Sequence, residues 1–300
     1  GFMEDSYVDG KIYSIPFQRS TMVLYYNKDA FKEVGLDPEA PPTTWEELAE
    51  YGQKLTNDGR YGVGIALNSG SAQWAFTGFC LQNSTDGQNL MSEDGKSVYF
   101  NTPENVEALQ FWLDLQNEYK CMAEGIVQWT DLPTQFLAGE VAMIYHTTGN
   151  MANIHDNADF DFGTAFLPAH KRVGAPTGGG NFYISSNISE DRVQAAWKFI
   201  KFATSTDRAA QWSLDTGYVA TRQSCFDTDL IKDYYAEVPQ ASVAYEQLPY
   251  AKPELTTYNA AEIWRVLNDN IQAAVVGDMS AQEALDAAQE QAEEVLSEYQ

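Results

Sequence analysis

Three hundred residues with 44% hydrophobic and 13% aromatic side chains can bury a sizeable core in one or two domains. Forty-three acidic against 18 basic side chains leave a formal net charge of −25, which repels phosphate backbones and anionic lipid and argues against nucleic acid or bare membrane as partners. No stretch approaches the roughly 18 uninterrupted apolar residues that a membrane-spanning helix needs.

The opening residues, Gly1-Phe2-Met3-Glu4-Asp5, carry neither a basic nor an apolar leader region, so any secretion signal is expected to lie outside this sequence or to have been removed. Short apolar strands then alternate with amphipathic helices, which predicts α/β layers. Lys11 to Pro16 and Met22 to Tyr26 read as strands, followed by a helix from Lys28 to about Val34 that Gly35 and the prolines at 38, 41 and 42 stop. Thr44-Trp-Glu-Glu47 has capping-box spacing and opens a helix to about Leu55. Asn57-Asp58-Gly59 is a turn, Tyr61 to Leu67 a strand, Ala72 to Gln82 a helix, and Asp94-Gly95 a tight turn before Val98.

Thr102-Pro103 starts a helix reaching about Lys120, with Thr as N-cap and Pro in the first turn. A short helix from Asp131 to Ala138 closes at Gly139, and Val141 to Tyr145 is a buried-strand run. Further on, Val193, Ala196, Trp197 and Ile200 recur at helical spacing behind Ser189, and a second helix from about Asp207 stops at Gly217. Ala261 to Val276 and, behind the capping box Ser280 to Glu283, a last helix into Glu298 complete the chain. The last helix carries an apolar stripe of Ala284, Leu285, Ala288, Ala292, Val295 and Leu296.

Catalytic signatures are sparse. Cys80, Cys121 and Cys225 form no C-x-x-C and no Cys/His pair at metal spacing, so they are expected as small buried hydrophobes, with one disulfide and a leftover thiol as the alternative. No G-x-S-x-G occurs, and His146, His155 and His170 have no matching nucleophile motif. His155 and His170 lie in polar segments and read as surface residues, whereas His146 follows a buried strand and is a candidate cleft residue. No metal site or cofactor is expected. The triple glycine Gly178-Gly179-Gly180 does not fit a phosphate loop, because a strand-like Phe-Tyr-Ile follows it rather than a helix.

Asp9 to Thr56 closely resembles the middle of family 1 extracellular solute-binding proteins, the binding components of ABC importers for sugars and glycerol phosphate. Matches to the same family follow in order: Phe100 to Trp112, Phe136 to Met143, Gly178 to Ser185, Asp215 to Arg222 and Val275 to Ala288. The resemblance implies an α/β, periplasmic-binding-protein-like (type II) fold, with two lobes, a hinge and a ligand cleft between them, and no catalysis. It implies an extracytoplasmic location, periplasmic or lipid-anchored, and a carbohydrate ligand delivered to the transmembrane permease subunits. On this basis 1–17 and 181–221 belong to the N-terminal lobe, 22–177 and 222–300 to the C-terminal lobe, and 18–21 and 178–180 are the hinge crossings. Family members have on the order of a hundred further residues ahead of the position of Gly1. The N-terminal lobe is therefore expected to be incomplete here, with apolar surface around Trp197, Phe199, Phe202 and Trp212 open to self-association or a cover.

The resemblance places cleft positions at Arg19, Ser20, Trp74, Thr147, Thr148, Asn150, Gly178, Gly179, Tyr218 and Trp264. Trp74, Tyr218 and Trp264 are the candidates for stacking on sugar rings. Where the glycerol-phosphate branch has a phosphate-binding arginine this chain carries Trp264, and the neighbouring Arg265 would point about 100° away on a helix. A bulky aromatic suits a neutral mono- or oligosaccharide, while Arg19 and Arg222 keep glycerol 3-phosphate or a glycerophosphodiester as the alternative. A carbohydrate-active enzyme is the remaining alternative, since paired carboxylates are defined by spatial separation rather than spacing in sequence.

Overall fold

The computed structural model describes every residue except 1, 4, 5, 9 and 69. A small antiparallel hairpin, β1 (Tyr7–Val8) with β2 (Lys11–Ile12), leads into β3 (Ile15–Asn27), the longest strand at 13 residues. Asn27 then caps α1 (Lys28–Glu33), its Oδ1 accepting from Ala30 N at 2.8 Å. Thr44 caps α2 (Trp45–Leu55) by accepting from Glu47 N, and the Glu47 carboxylate reaches back to Thr43 N and Oγ1. Next come β4 (Tyr61–Gly64), α3 (Ala72–Asn83), α4 (Pro103–Asn117), α5 (Leu132–Leu137) and β5 (Val141–Thr147). A single 3-10 turn at Thr148–Asn150 joins β5 to α6 (Met151–Asn157), followed by β6 (Phe162–Ala165) and β7 (Ala175–Phe182). The rest is mostly helical: α7 (Glu190–Ala203), α8 (Thr206–Thr216), α9 (Asp229–Glu237), α10 (Ser242–Gln247), the two-residue β8 (Ala251–Lys252), α11 (Ala260–Val275) and α12 (Ala281–Leu296).

One six-stranded sheet runs in the order β4-β5-β3-β7-β8, with β6 pairing to β3 as well. The two ends of β3 use different partners. Its C-terminal half, Met22 to Asn27, pairs antiparallel with β5 and β6, while its N-terminal part, Ile15 to Thr21, pairs antiparallel with β7. Residues 18–21 are therefore the middle of one continuous strand, joining the two strands read separately from the sequence. The physical reason is hydrogen bonding: Gln18, Arg19, Ser20 and Thr21 lie opposite Gly180, Gly179, Gly178 and Thr177, so an extended backbone finds its partners there. Both segments expected to cross between lobes thus form a two-stranded ribbon.

Alternation along β3 splits the core into two layers. Met22, Leu24 and Tyr26 face a large cluster built with α2, α3, α4, α11 and α12, while Val23 and Tyr25 face a second cluster with Leu132, Phe136, Ile144 and Ile154. All 12 residues of α3 are buried; among its polar side chains Thr77, Gln82 and Asn83 hydrogen-bond to backbone carbonyls. The apolar stripe predicted for α12 is buried apart from the partly exposed Val295, and the Ser280–Glu283 capping box is present with both reciprocal bonds. Cys80, Cys121 and Cys225 are all buried and unpaired.

The stripe predicted for α7 fares differently. Only Ile200 of that helix is buried, leaving Trp197, Phe199 and Phe202 at 40%, 58% and 57% exposure, with Tyr13 and Tyr183 exposed as well. Trp212 does not join this open face; it is partly buried against Phe17, ring centroids 5.0 Å apart. A third, smaller cluster around Ala210, Ala220, Cys225 and Ile231 lies beneath α8.

Candidate functional site

Beside the β3–β7 ribbon lies an open cavity of about 360 Å³. The ribbon contributes Ser20 from β3 and Gly178 and Gly179 from β7; the start of α3 and the turn before it contribute Asn68, Gly70, Ser71, Gln73 and Trp74. Trp129, Thr147 at the end of β5, Tyr218 after α8, Glu254 and Trp264 on α11 close the remaining sides.

Each aromatic is held by a local feature of the chain. Trp74 lies over Gly178, where an added Cβ would sit 2.7 Å from the indole Cζ2, and its Nε1 donates to Thr177 O at 2.9 Å. The indole edge is thereby committed to the ribbon. Trp129 tilts against Trp74, with centroids 5.7 Å apart, and its backbone N donates to Asn68 Oδ1 at 2.9 Å. Tyr218 follows Gly217, whose φ of +83° ends α8, and its ring covers Gly149 so closely that a Cβ there would be 2.7 Å from Cζ. Trp264 donates its Nε1 to Leu255 O, which fixes the indole against the loop before α11.

The three glycines do separate jobs. Gly179 has φ +98°, and a Cβ on it would fall 1.9 Å from Gln18 O. Gly178 makes room for the Trp74 indole, whereas Gly180 has only the Gln18 side chain, at 3.6 Å or beyond, near its missing Cβ.

Of the sequence-predicted positions, Ser20, Trp74, Thr147, Gly178, Gly179, Tyr218 and Trp264 come together around this cavity. Arg19, Thr148 and Asn150 do not line it. Arg19 is 3% exposed on the other side of β3, where its guanidinium donates to Thr177 Oγ1 and Asn181 Oδ1. Thr148 is buried, its Oγ1 accepting from Thr21 N at 3.4 Å, so it ties the 3-10 turn to β3. Asn150 precedes α6, and its Oδ1 accepts from Asn153 Nδ2. The neighbouring cations are held elsewhere as well: Arg265 pairs with Glu262 and Asp269, and Arg222 donates to Thr204 O. Asn68, Gly70, Ser71, Gln73, Trp129 and Glu254 were not anticipated. Most of them come from loops, which carry no periodicity to read.

His146 does not line the cavity; it lies beneath it. The imidazole is 3% exposed, stacks under Trp129 with centroids 3.8 Å apart, and has Nε2 3.3 Å from Trp129 O. Burial disfavours the charged ring and lowers its pKa from 6.5 to about 4. Between those values the unfolded chain binds a proton that the folded one refuses, so stability falls as pH drops through that window and is indifferent to this group above it. His146→Gln is expected to remove about 2 kcal/mol of the stability difference between pH 7 and pH 5. Denaturant melts of both proteins at the two pH values measure that difference. His155 is exposed and His170 partly so, the latter facing Glu46 and stacked on Trp45, in keeping with their reading as surface residues.

A mixed α/β fold whose central ribbon passes beside an aromatic-walled cavity has the form of a protein that holds a small solute. The sequence profile of the bacterial extracellular solute-binding proteins matches residues 2–240, and the chain belongs to that family. It is 30% identical over 319 residues to the sn-glycerol-3-phosphate-binding periplasmic protein UgpB of Escherichia coli K12, covering 100% of this chain and 70% of that protein. Among solved structures it is similar to UgpB from Mycobacterium tuberculosis in complex with glycerophosphocholine, with a TM-score of 0.87, 26% identity, and 99% of this chain and 74% of that one covered. It is also similar to the cyclic α-maltosyl-1,6-maltose binding protein of Arthrobacter globiformis, with a TM-score of 0.84, 27% identity, and 99% and 75% covered. The fold is thus that of the periplasmic binding proteins, and the chain is an extracytoplasmic solute-binding protein of an ABC importer. No helix among the described residues is long and apolar enough to cross a membrane.

Proposed function

We propose that this protein captures a neutral mono- or oligosaccharide in the cavity beside the ribbon, breaks no bond in it, and delivers it to the permease subunits of its importer. The observation that carries this reading is the makeup of the wall. Trp74, Trp129, Tyr218 and Trp264 offer flat apolar faces, while hydroxyls, amides and the Glu254 carboxylate supply polar contacts. No Lys or Arg is among the described residues lining it. Sugar rings present apolar C–H faces for stacking and hydroxyls for the amides. A phosphate dianion in this wall would meet hydroxyls and amides but, among the described lining residues, no cation to make the stronger charge-assisted bonds.

In this reading Ser20, Trp74, Thr147, Gly178, Gly179, Tyr218 and Trp264 contact the ligand. The ribbon of 18–21 and 178–180 is the hinge, joining a lobe containing 1–17 and 181–221 to one containing 22–177 and 222–300. Closure is a ligand-driven shift between open and closed populations.

Isothermal titration against a panel of neutral sugars, glycerol 3-phosphate and glycerophosphocholine tests the assignment. Heat from a neutral sugar is expected; heat from the glycerophosphates alone would overturn it. Trp264→Ala is expected to weaken the sugar about tenfold or more by removing one stacking platform. Capture is separated from turnover by incubating the protein with oligosaccharides and looking for new reducing ends, which the proposal does not expect.

A second reading is binding of glycerol 3-phosphate or a glycerophosphodiester. Two similarities favour it: the identity to the glycerol-3-phosphate-binding protein of Escherichia coli and the TM-score to the glycerophosphocholine complex. The aromatic wall with Glu254 has the makeup that recognises a quaternary ammonium, so glycerophosphocholine is the phosphate ligand best suited to it.

A further inference from the structure

Trp129 stands in the irregular stretch between α4 and α5, where no helix or strand dictates its place, yet it is held at several points. Its backbone N donates to Asn68 Oδ1 at 2.9 Å, and its carbonyl lies 3.3 Å from His146 Nε2. A carbonyl oxygen can only accept, so Nε2 carries the proton of the neutral imidazole. The same imidazole stacks on the indole, with centroids 3.8 Å apart and planes inclined by 22°. One side chain of β5 thus holds both the main chain and the ring of Trp129.

Trp129 lines the cavity and is partly exposed, whereas His146 is 3% exposed and does not line it. His146 covers one face of the indole, so the opposite face is the one turned to the cavity. Trp74 meets Trp129 at 56°, with centroids 5.7 Å apart. A sugar ring between two indoles needs about 7 Å, two contact distances of about 3.5 Å. The pair therefore forms a corner that a ligand touches from its open side, and the angle of that corner depends on what lies behind Trp129.

We propose that Trp129 is a ligand-contacting platform and that His146 is its positioning residue, a buried ring that holds the indole at its angle to Trp74. The inference rests on solute capture in this cavity and adds the residue pair that sets one wall. A neutral imidazole offers a rigid flat face for stacking and one N–H for the carbonyl. An aliphatic side chain would fill the space without dictating the plane of the ring above it.

His146→Leu removes the ring and the donor, while His146→Phe keeps a flat ring. Titration uses glucose, maltose, maltotriose, glycerol 3-phosphate and glycerophosphocholine. Trp129→Ala is expected to weaken the preferred sugar about tenfold or more. His146→Leu should weaken it roughly fivefold and His146→Phe less than about twofold. In the Trp129→Ala background, His146→Leu should change affinity by less than about twofold, since the platform it positions is gone. Equal losses from His146→Leu in both backgrounds, or a Phe variant as weak as Leu, would overturn the positioning role. Undiminished affinity in Trp129→Ala would overturn the contact itself. Wild-type silence toward every sugar would instead overturn the carbohydrate reading, and the pair is then judged without ligand.

That second readout is circular dichroism of the ligand-free protein, because two indoles this close and inclined couple their transitions into a paired band. Trp129→Ala should abolish the band, His146→Leu should reduce it, and His146→Phe should retain it. Loss in Trp129→Ala with no change in His146→Leu would overturn the inference by itself. His146→Met, with a flexible side chain, replaces Leu if the branched one prevents folding.

Discussion

Gly179→Ala is expected to cost about 3 kcal/mol or more of stability and to lower the melting temperature by roughly 5 °C or more. The backbone at Gly179 has φ +98°, outside even the left-handed helical region that Asn or Asp tolerates. Holding an L-residue there costs about 1–3 kcal/mol before any contact is considered. The added Cβ would then stand 1.9 Å from Gln18 O and 3.0 Å from Arg19 Cα, all backbone atoms that cannot rotate away. Relief requires β7 to move off β3 at the point where Arg19 pairs with Gly179. That pairing is the ribbon on which the proposed closure bends, so solute affinity should fall along with stability. Gly180→Ala is the control: its nearest neighbours are the flexible Gln18 side chain at 3.6–4.0 Å, and its change should stay within about 1 kcal/mol. Circular-dichroism melts of the two variants decide the matter. Equal tolerance at both positions would mean that the ribbon does not need glycine at 179.

Much of the scaffold is legible in the residues because it is fixed locally. The Ser280–Glu283 capping box, the Thr102-Pro103 start of α4 and the Gly217 stop of α8 depend on neighbours within one turn, and each falls where its pattern puts it. The uncovered face of α7 shows the limit of such reasoning. Its apolar spacing is genuine, but burial depends on what packs against it, and among the described residues only Ile200 finds cover.

The site follows the same division. The glycine triplet marks the ribbon, yet the continuity of β3 through Arg19 and Ser20 depends on a partner more than 150 residues away in sequence. Once those residues are read as strand, period-two alternation requires Arg19 and Ser20 to face opposite sides, which is how the structure arranges them. Thr147 and Thr148 part for a related reason: the chain turns after β5, and Thr148 Oγ1 is taken by Thr21 N. Trp129 and Glu254 carry no sequence signal, since their place on the wall comes from tertiary contacts, in the case of Trp129 with Trp74 and His146.

Gly178→Ala should weaken solute binding about 10- to 100-fold while costing less stability than the change at Gly179. Its backbone conformation is ordinary, so the penalty lies in what the new methyl meets: Trp74 Cζ2 at 2.7 Å, Cε2 at 2.9 Å and Nε1 at 3.2 Å. A side chain can swing away where a backbone cannot, so the indole leaves its seat, loses its bond to Thr177 O and tilts toward Trp129. The stacking platform is then out of register with the ligand, and an aromatic anchor in a binding pocket is typically worth 2 kcal/mol or more. Trp74→Phe separates this from a direct effect of the methyl on the ligand. The smaller ring leaves space over residue 178, so Gly178→Ala should cost much less in that background than in wild type, a non-additivity expected only when the two residues act through contact with each other. Affinities of the wild type, both single variants and the double variant for the preferred sugar complete the cycle. Strictly additive losses would mean that the missing Cβ at 178 serves the ligand itself rather than the seat of Trp74.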